Sequence, residues 1–189
     1  MKVVSDFSDL IARKPSKHLA KRLKLAQDAR KARKGTKSQP KESRRDFNRK
    51  WGLPEDYKLR WTGHKGLEGV AWYYLSQLRR KEDAKNWGRC ASCLKPLAWN
   101  EGDGGHFISV SRSPGMKLQE DNVYLQSKDC NNPTWTPDAS LPFGEEIDRR
   151  HYKGKANELW EQSKRFNDAL SEKELLEKIA DWRERLEAL

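Results

Sequence analysis

Cys90 and Cys93 form a Cys-x-x-Cys pair at the head of "GRCASCLKPLAWNEGDGGHFISV", Gly88 to Val110, and His106 follows among glycines. Such a turn can present two thiolates to one zinc ion while backbone amides hydrogen-bond to the sulfurs. The chain supplies one further cysteine, Cys130 in "SKDC", where Ser127 takes the place of the first thiol of a second turn. A serine hydroxyl is a poor zinc ligand at neutral pH, so Asp129, a histidine or water would have to join Cys90, Cys93 and Cys130. The alternative is ordinary buried thiols. Three cysteines cannot all pair, and the spacing is that of metal ligands, so a disulfide framework fits poorly.

His106 suggests different chemistry. A histidine titrates near neutrality and can take a proton from water, best beside a hard metal ion held by oxygen donors. Asp103, Asn122, Asn131 and Asn132 are candidate oxygen donors close by in sequence. The competing assignment makes His106 a fourth zinc ligand or a hydrogen-bonded packing residue.

These residues must be positioned by few elements. In "GLEGVAWYYLSQLRRKEDAKNWG", Leu67, Val70, Ala71, Tyr74, Leu75 and Leu78 recur at helical steps, so a helix is expected over 66–86. Residues 90–132 are Gly-rich and turn-rich, with "HFISV" as the best strand, and a metal is expected to hold them. Leu159, Trp160 and Phe166 mark one C-terminal helical face, and Leu175, Leu176, Ile179, Trp182, Leu186 and Leu189 a longer one. Ser171 to Glu174, "SEKE", has the order of a capping box. The two helices are expected to pack as a hairpin.

Composition sets the limits. A chain of 189 residues with 35% hydrophobic residues and a mean hydropathy of −1.07 suits one modest core with extended parts. The net charge is +11, and residues 11–50 alone hold 16 Lys or Arg against 3 Asp or Glu. That arm suits sequence-independent binding to nucleic acid phosphates, through Arg22, Lys24, Arg30, Lys31, Arg33, Lys34, Arg44 and Arg45; a solvated charged helix is the plainer reading. Arg79 and Arg80 could also meet phosphate, although arginines near a helix C-terminus are favoured by the dipole alone. No apolar run approaches the ~18 residues of a membrane span and the N-terminus lacks a secretion signal, so a soluble intracellular protein is expected. Among eight tryptophans, Trp72, Trp160 and Trp182 belong to helix faces. Trp51, Trp61 and Trp135 lie in turn-rich stretches, where they cover a small core or stack on unpaired bases. His18 and His64 have no partner pattern, and His151 in "RRHYKGK" suits a basic surface.

The ordered set Cys90-x-x-Cys93, Asp103-Gly-Gly-His106-Phe107, "QEDNVYLQ" with Asn122 and Gln126, then Cys130-Asn131 resembles the NinG/Rap recombination proteins of lambdoid phages. The likeness extends to "WYYLSQLRRKEDAKNWGRCASC" upstream and "EEIDRRHYKGKANELWEQSKRF" downstream, over roughly residues 66–189. It implies a small α+β protein: a zinc-stapled ββα-metal (HNH-like) core flanked by helices, with a C-terminal helical hairpin and a basic N-terminal arm. Charge and composition set ahead of that domain, over 66–189, an arm over 1–50, partly helical or disordered, and a linker over 51–65. Within that domain the helix would span 66–86, the core 88–135 and the hairpin 144–189.

By the same resemblance the chain would be a metal-dependent endonuclease on branched DNA (junctions, D-loops, flaps) in the cytoplasm of an infected bacterial host. His106 would be the general base, and Asn122 would hold the loop and orient it. Asn131, with Asp103, would face a catalytic Mg²⁺ or Mn²⁺. Phage or host recombination proteins would be partners, and a symmetric cut across a junction would call for a homodimer. A non-catalytic, zinc-dependent DNA-binding protein of recombination or replication is the alternative. A protein-interaction module built on the helical hairpin is a third reading. Three features depart from the family pattern: Ser127 for a zinc cysteine, Tyr124 where relatives often carry a histidine, and "NPTWTPDASLP" after Asn131.

Overall fold

A computed structural model describes residues 24, 42–132, 140–165 and 169–189. The chain divides into two compact units, 1–43 and 44–189. In the first, Lys24 is exposed and Arg22, Arg30, Lys31, Arg33 and Lys34 lie outside the described residues. Trp135 and Phe166 lie outside them as well.

The second unit begins with a short helix, α1 (Arg44–Lys50). Arg44 and Arg45 are exposed on it, but Asn48 is buried, and its amide donates to the carbonyls of Pro54, Glu55 and Tyr57 at 2.9, 3.2 and 3.0 Å. The expected arm therefore ends earlier than residue 50. Residues 51–65 are not a free linker either: Leu53 is buried, and Trp51, Tyr57, Leu59 and Trp61 pack on the main core. Apolar side chains spaced along a turn-rich stretch still find a core when polar anchors such as Asn48 fix the turns.

The long helix α2 (Leu67–Asn86) matches the expected span and buries Leu67, Val70, Ala71, Tyr74, Leu75 and Leu78. Gly69 is required here, because a Cβ would run into the Trp61 carbonyl and the Leu59 side chain lying across the helix. Two short strands follow, β1 (Asp103–His106) and β2 (Val123–Gln126), paired antiparallel with Asp103 opposite Gln126 and His106 opposite Val123.

The strand thus lies earlier than "HFISV". After His106 the ladder stops because Asn122 takes over the backbone groups of the next residues. Phe107 N–H donates to the Asn122 carbonyl at 3.0 Å, and the Asn122 side chain binds both the N–H and the C=O of Ile108.

The sheet is covered on both faces. Val123 joins the cluster formed with α2, while Tyr124 joins Phe107, Ile108 and Met116 in a second cluster with Phe143, Ile147 and Leu159. Those last three come from α3 (Leu141–Arg150) and α4 (Lys155–Ser163). The last helix, α5 (Glu172–Glu187), starts with the expected capping box at Ser171 and Glu174. It does not form a hairpin with α4. Leu175, Ile179 and Trp182 instead join the α2 cluster, and α4 turns Leu159 to the opposite face of the sheet. Two apolar stripes of equal period do not reveal which partner each will take. No described helix is long and apolar enough to cross a membrane.

Candidate functional site

The three thiols meet. Cys90, Cys93 and Cys130 place their sulfurs within 4.8 Å of one another; Cys90 is buried, Cys130 half-buried and Cys93 exposed. Local backbone bonds build the first turn: Leu94 N–H donates to the Cys90 carbonyl at 3.1 Å, Cys90 N–H to Lys95 at 2.9 Å, and Ala91 N–H to Leu125 of β2 at 2.9 Å. The Cys90 sulfur accepts the amides of Ser92 at 3.4 Å and Ser127 at 3.3 Å.

Burial pushes the Cys90 thiol up, but hydrogen bonds from the amides of Cys93, Ser127 and Ser92 outweigh it and hold the thiol below its ordinary value. Burial pushes Cys130 up to about 11, opposed by a Ser127 hydrogen bond and reinforced by the charge on Cys90. Thiolates gathered this closely repel one another, and a divalent cation reverses that balance. The donor set is soft and suits zinc, so these three cysteines could hold such an ion. Asp129 is exposed and outside the cluster.

His106 ends β1 on the face turned to α2. Its ring stacks on Trp72 at 4.8 Å between centroids and 16° between planes, with Trp61 edge-on at 6.2 Å. Nε2 lies 3.0 Å from the Lys117 carbonyl. A carbonyl only accepts, so Nε2 carries the proton and Nδ1 holds the lone pair in the neutral ring. Arg60 lies over Trp61 and Trp72 at 5.2 and 5.6 Å, and Lys117 pairs with Glu68.

Asn122 is fully buried and holds the His106 loop as expected. Its Oδ1 accepts Ile108 N–H at 2.7 Å, and its Nδ2 donates to the carbonyls of Ile108 and Met116 at 2.9 and 3.0 Å. With these bonds made, its amide is spent on holding the loop.

Asp103 and Asn131 do come together, Asn131 Nδ2 donating to Asp103 Oδ2 at 3.4 Å. They do not join His106. Asp103 and His106 stand at opposite ends of β1, and side chains an odd number of residues apart point to opposite faces, about 10 Å apart along the strand. The pair therefore fits no ion shared with His106. Among the described residues, no second cluster of three His, Cys, Asp or Glu donors accompanies the cysteines.

Arg79 and Arg80, both half-buried, brace the fold. Arg79 donates to the Val123 carbonyl at 3.1 Å and pairs with Glu82 and Asp83 at 2.7 and 3.3 Å. Arg80 binds the carbonyls of Ser76 and Gly102 at 3.2 and 3.0 Å. Helical arginines facing a sheet edge find carbonyls and carboxylates nearer than solvent.

Sequence reasoning missed a network behind the sheet. Arg150 binds Asp83 and Glu146 at 2.9 Å each, and Arg89 binds the same Glu146 at 3.0 and 3.1 Å. Asp83 also accepts Leu125 N–H at 2.8 Å, so α2, β2, α3 and the cysteine turn share one knot of charge. Its local signals were pairs at helical spacing, Glu146 with Arg149 and Arg150, and Arg79 with Asp83.

His151 is exposed, as expected of a surface residue, and its Nε2 also lies 3.1 Å from the Tyr124 hydroxyl. Burial lowers the His151 pKa and raises that of Tyr124, so the pair is neutral.

Fold and site define a small α+β domain with a two-stranded sheet and a three-thiol centre that could bind zinc. Comparison with protein-family models, with curated proteins and with solved structures found no match.

Proposed function

We propose that this chain is a NinG/Rap-like endonuclease that hydrolyses phosphodiesters in branched DNA, with His106 as general base. The observation that carries this reading is the hydrogen bond of His106 Nε2 to the Lys117 carbonyl, which sets the tautomer of the neutral ring with its proton on Nε2. The Asn122-bound loop and the Trp72 stack fix the ring.

In this reading Nδ1 removes a proton from a water molecule. The water oxygen bonds to phosphorus, the bond to the leaving sugar oxygen breaks, and that oxygen takes a proton from solvent. Arg60, exposed beside His106, suits contact with the phosphate.

An HNH-like ββα arrangement agrees with the order β1, Asn122 loop, β2 and α3. Zinc at Cys90, Cys93 and Cys130 would staple the turn to β2. Cleavage would require Mg²⁺ or Mn²⁺, which supplies charge stabilisation at phosphate; Asp103 and Asn131 are not assigned as its ligands beside His106. The basic arm would add salt-dependent affinity for DNA, and the setting would be phage recombination in the bacterial cytoplasm.

One observation favours the second reading, a non-catalytic zinc-dependent DNA-binding protein: the only hard-donor pair expected for the ion, Asp103 and Asn131, stands on the face away from His106. Incubating end-labelled four-way junction, flap and duplex DNA with the protein and Mg²⁺ or Mn²⁺ separates the two. Cutting of branched DNA supports the endonuclease, and binding without cutting under either ion supports the escort protein.

A further inference from the structure

The two turns of the thiol centre are built alike. In the first, Leu94 N–H donates to the Cys90 carbonyl at 3.1 Å, and the Cys90 sulfur accepts a nearby amide, Ser92 N–H, at 3.4 Å. In the second, Asn131 N–H donates to the Ser127 carbonyl at 2.9 Å, and the Ser127 hydroxyl accepts a nearby amide, Cys130 N–H, at 3.2 Å. Ser127 therefore stands in its turn as Cys90 stands in the other. Its oxygen lies 3.9 Å from the Cys90 sulfur, on the side where the thiols gather.

We infer that the fourth position of this centre is exchangeable, backed by the Ser127 hydroxyl and open to a thiolate from solution. The inference rests on metal binding by the three cysteines and is independent of DNA cleavage.

Three properties lead to it. A serine hydroxyl keeps its proton near neutrality, so beside three thiolates it is the weakest donor and gives way to a soft competitor. Cys93 is exposed, and Ser127 and Cys130 are half-buried, so a small molecule reaches the centre without unfolding it. Asp129, the nearest acidic residue in the second turn, is exposed and stands apart from the thiols. Among the described residues the centre has three protein ligands, and a site with one labile position differs from a closed structural site, which gives nothing up to solvent.

The test loads the full chain with Co²⁺ and follows thiolate-to-cobalt absorption while 2-mercaptoethanol is added. The wild-type intensity is expected to rise by about a third at saturation, as a fourth thiolate joins three. Ser127→Cys is expected to start at the higher intensity and to ignore the added thiol. Ser127→Ala keeps the three cysteines, is expected to respond as wild type does, and serves if the cysteine variant fails to fold. A wild-type spectrum unmoved by thiol overturns the inference alone, since a protein group then closes the position. No cobalt spectrum in wild type overturns metal binding by the cysteines, and the inference with it.

Discussion

His106 lies flat on Trp72, centroids 4.8 Å apart, while its Nε2 binds the Lys117 carbonyl at 3.0 Å. A ring held on its face and at one nitrogen has a single orientation for the other. Trp72→Phe keeps a ring beneath the imidazole and is expected to preserve cleavage. Trp72→Leu is expected to lower the single-turnover rate by up to about 100-fold, with junction affinity little changed. Equal rates for the two variants would show that the stack does not aim the base.

Asn122 satisfies three backbone groups of the loop that carries His106. Truncation leaves them buried without partners, so Asn122→Ala is expected to cost about 3 kcal/mol of folding stability. Urea denaturation measures it; a loss under about 0.5 kcal/mol would mean that water replaces the amide.

Burial lowers the His151 pKa from 6.5. A folded-state pKa below the unfolded value means that the unfolded chain binds the proton more readily. The contribution is then fully present above pH 6.5 and is lost as pH falls from there through the folded value. Stability compared at several pH values across that window should decline in wild type more steeply than in His151→Gln. Parallel curves for the two proteins would remove His151 as the cause.

The thiol cluster ties its turn to β2 through Ala91 and Ser127. Zinc analysis of the purified chain should find a single ion, and a chelator should remove it and lower the melting temperature. Cys130→Ala should abolish binding while leaving α2 and α5 folded. A melting curve indifferent to chelator would mean that the thiols are packing groups.

The parts legible in the sequence were those governed by local rules. The three-and-four spacing from Leu67 to Leu78 marked α2, Ser171 and Glu174 marked the start of α5, and the cysteine spacing marked the thiol cluster. What failed depended on distant partners. Nothing local tells that α5 lies on α2, or that Arg79 faces the Val123 carbonyl. "HFISV" has strand composition, but Asn122, sixteen residues after His106, captures Ile108 and ends the strand. Moving the strand to Asp103–His106 then separates Asp103 from His106 by simple alternation. The Tyr124 and His151 contact joins β2 to the end of α3 and had no signal in either segment.

The most direct measurement compares wild type and His106→Ala on an end-labelled four-way junction, with Mg²⁺, with Mn²⁺ and with EDTA. If His106 is the base, wild type cuts the junction only with the ions present. The variant then loses at least about 100-fold in rate while binding the junction as tightly. Tight binding with no cutting by wild type under either ion, or equal cutting by both proteins, would contradict that role.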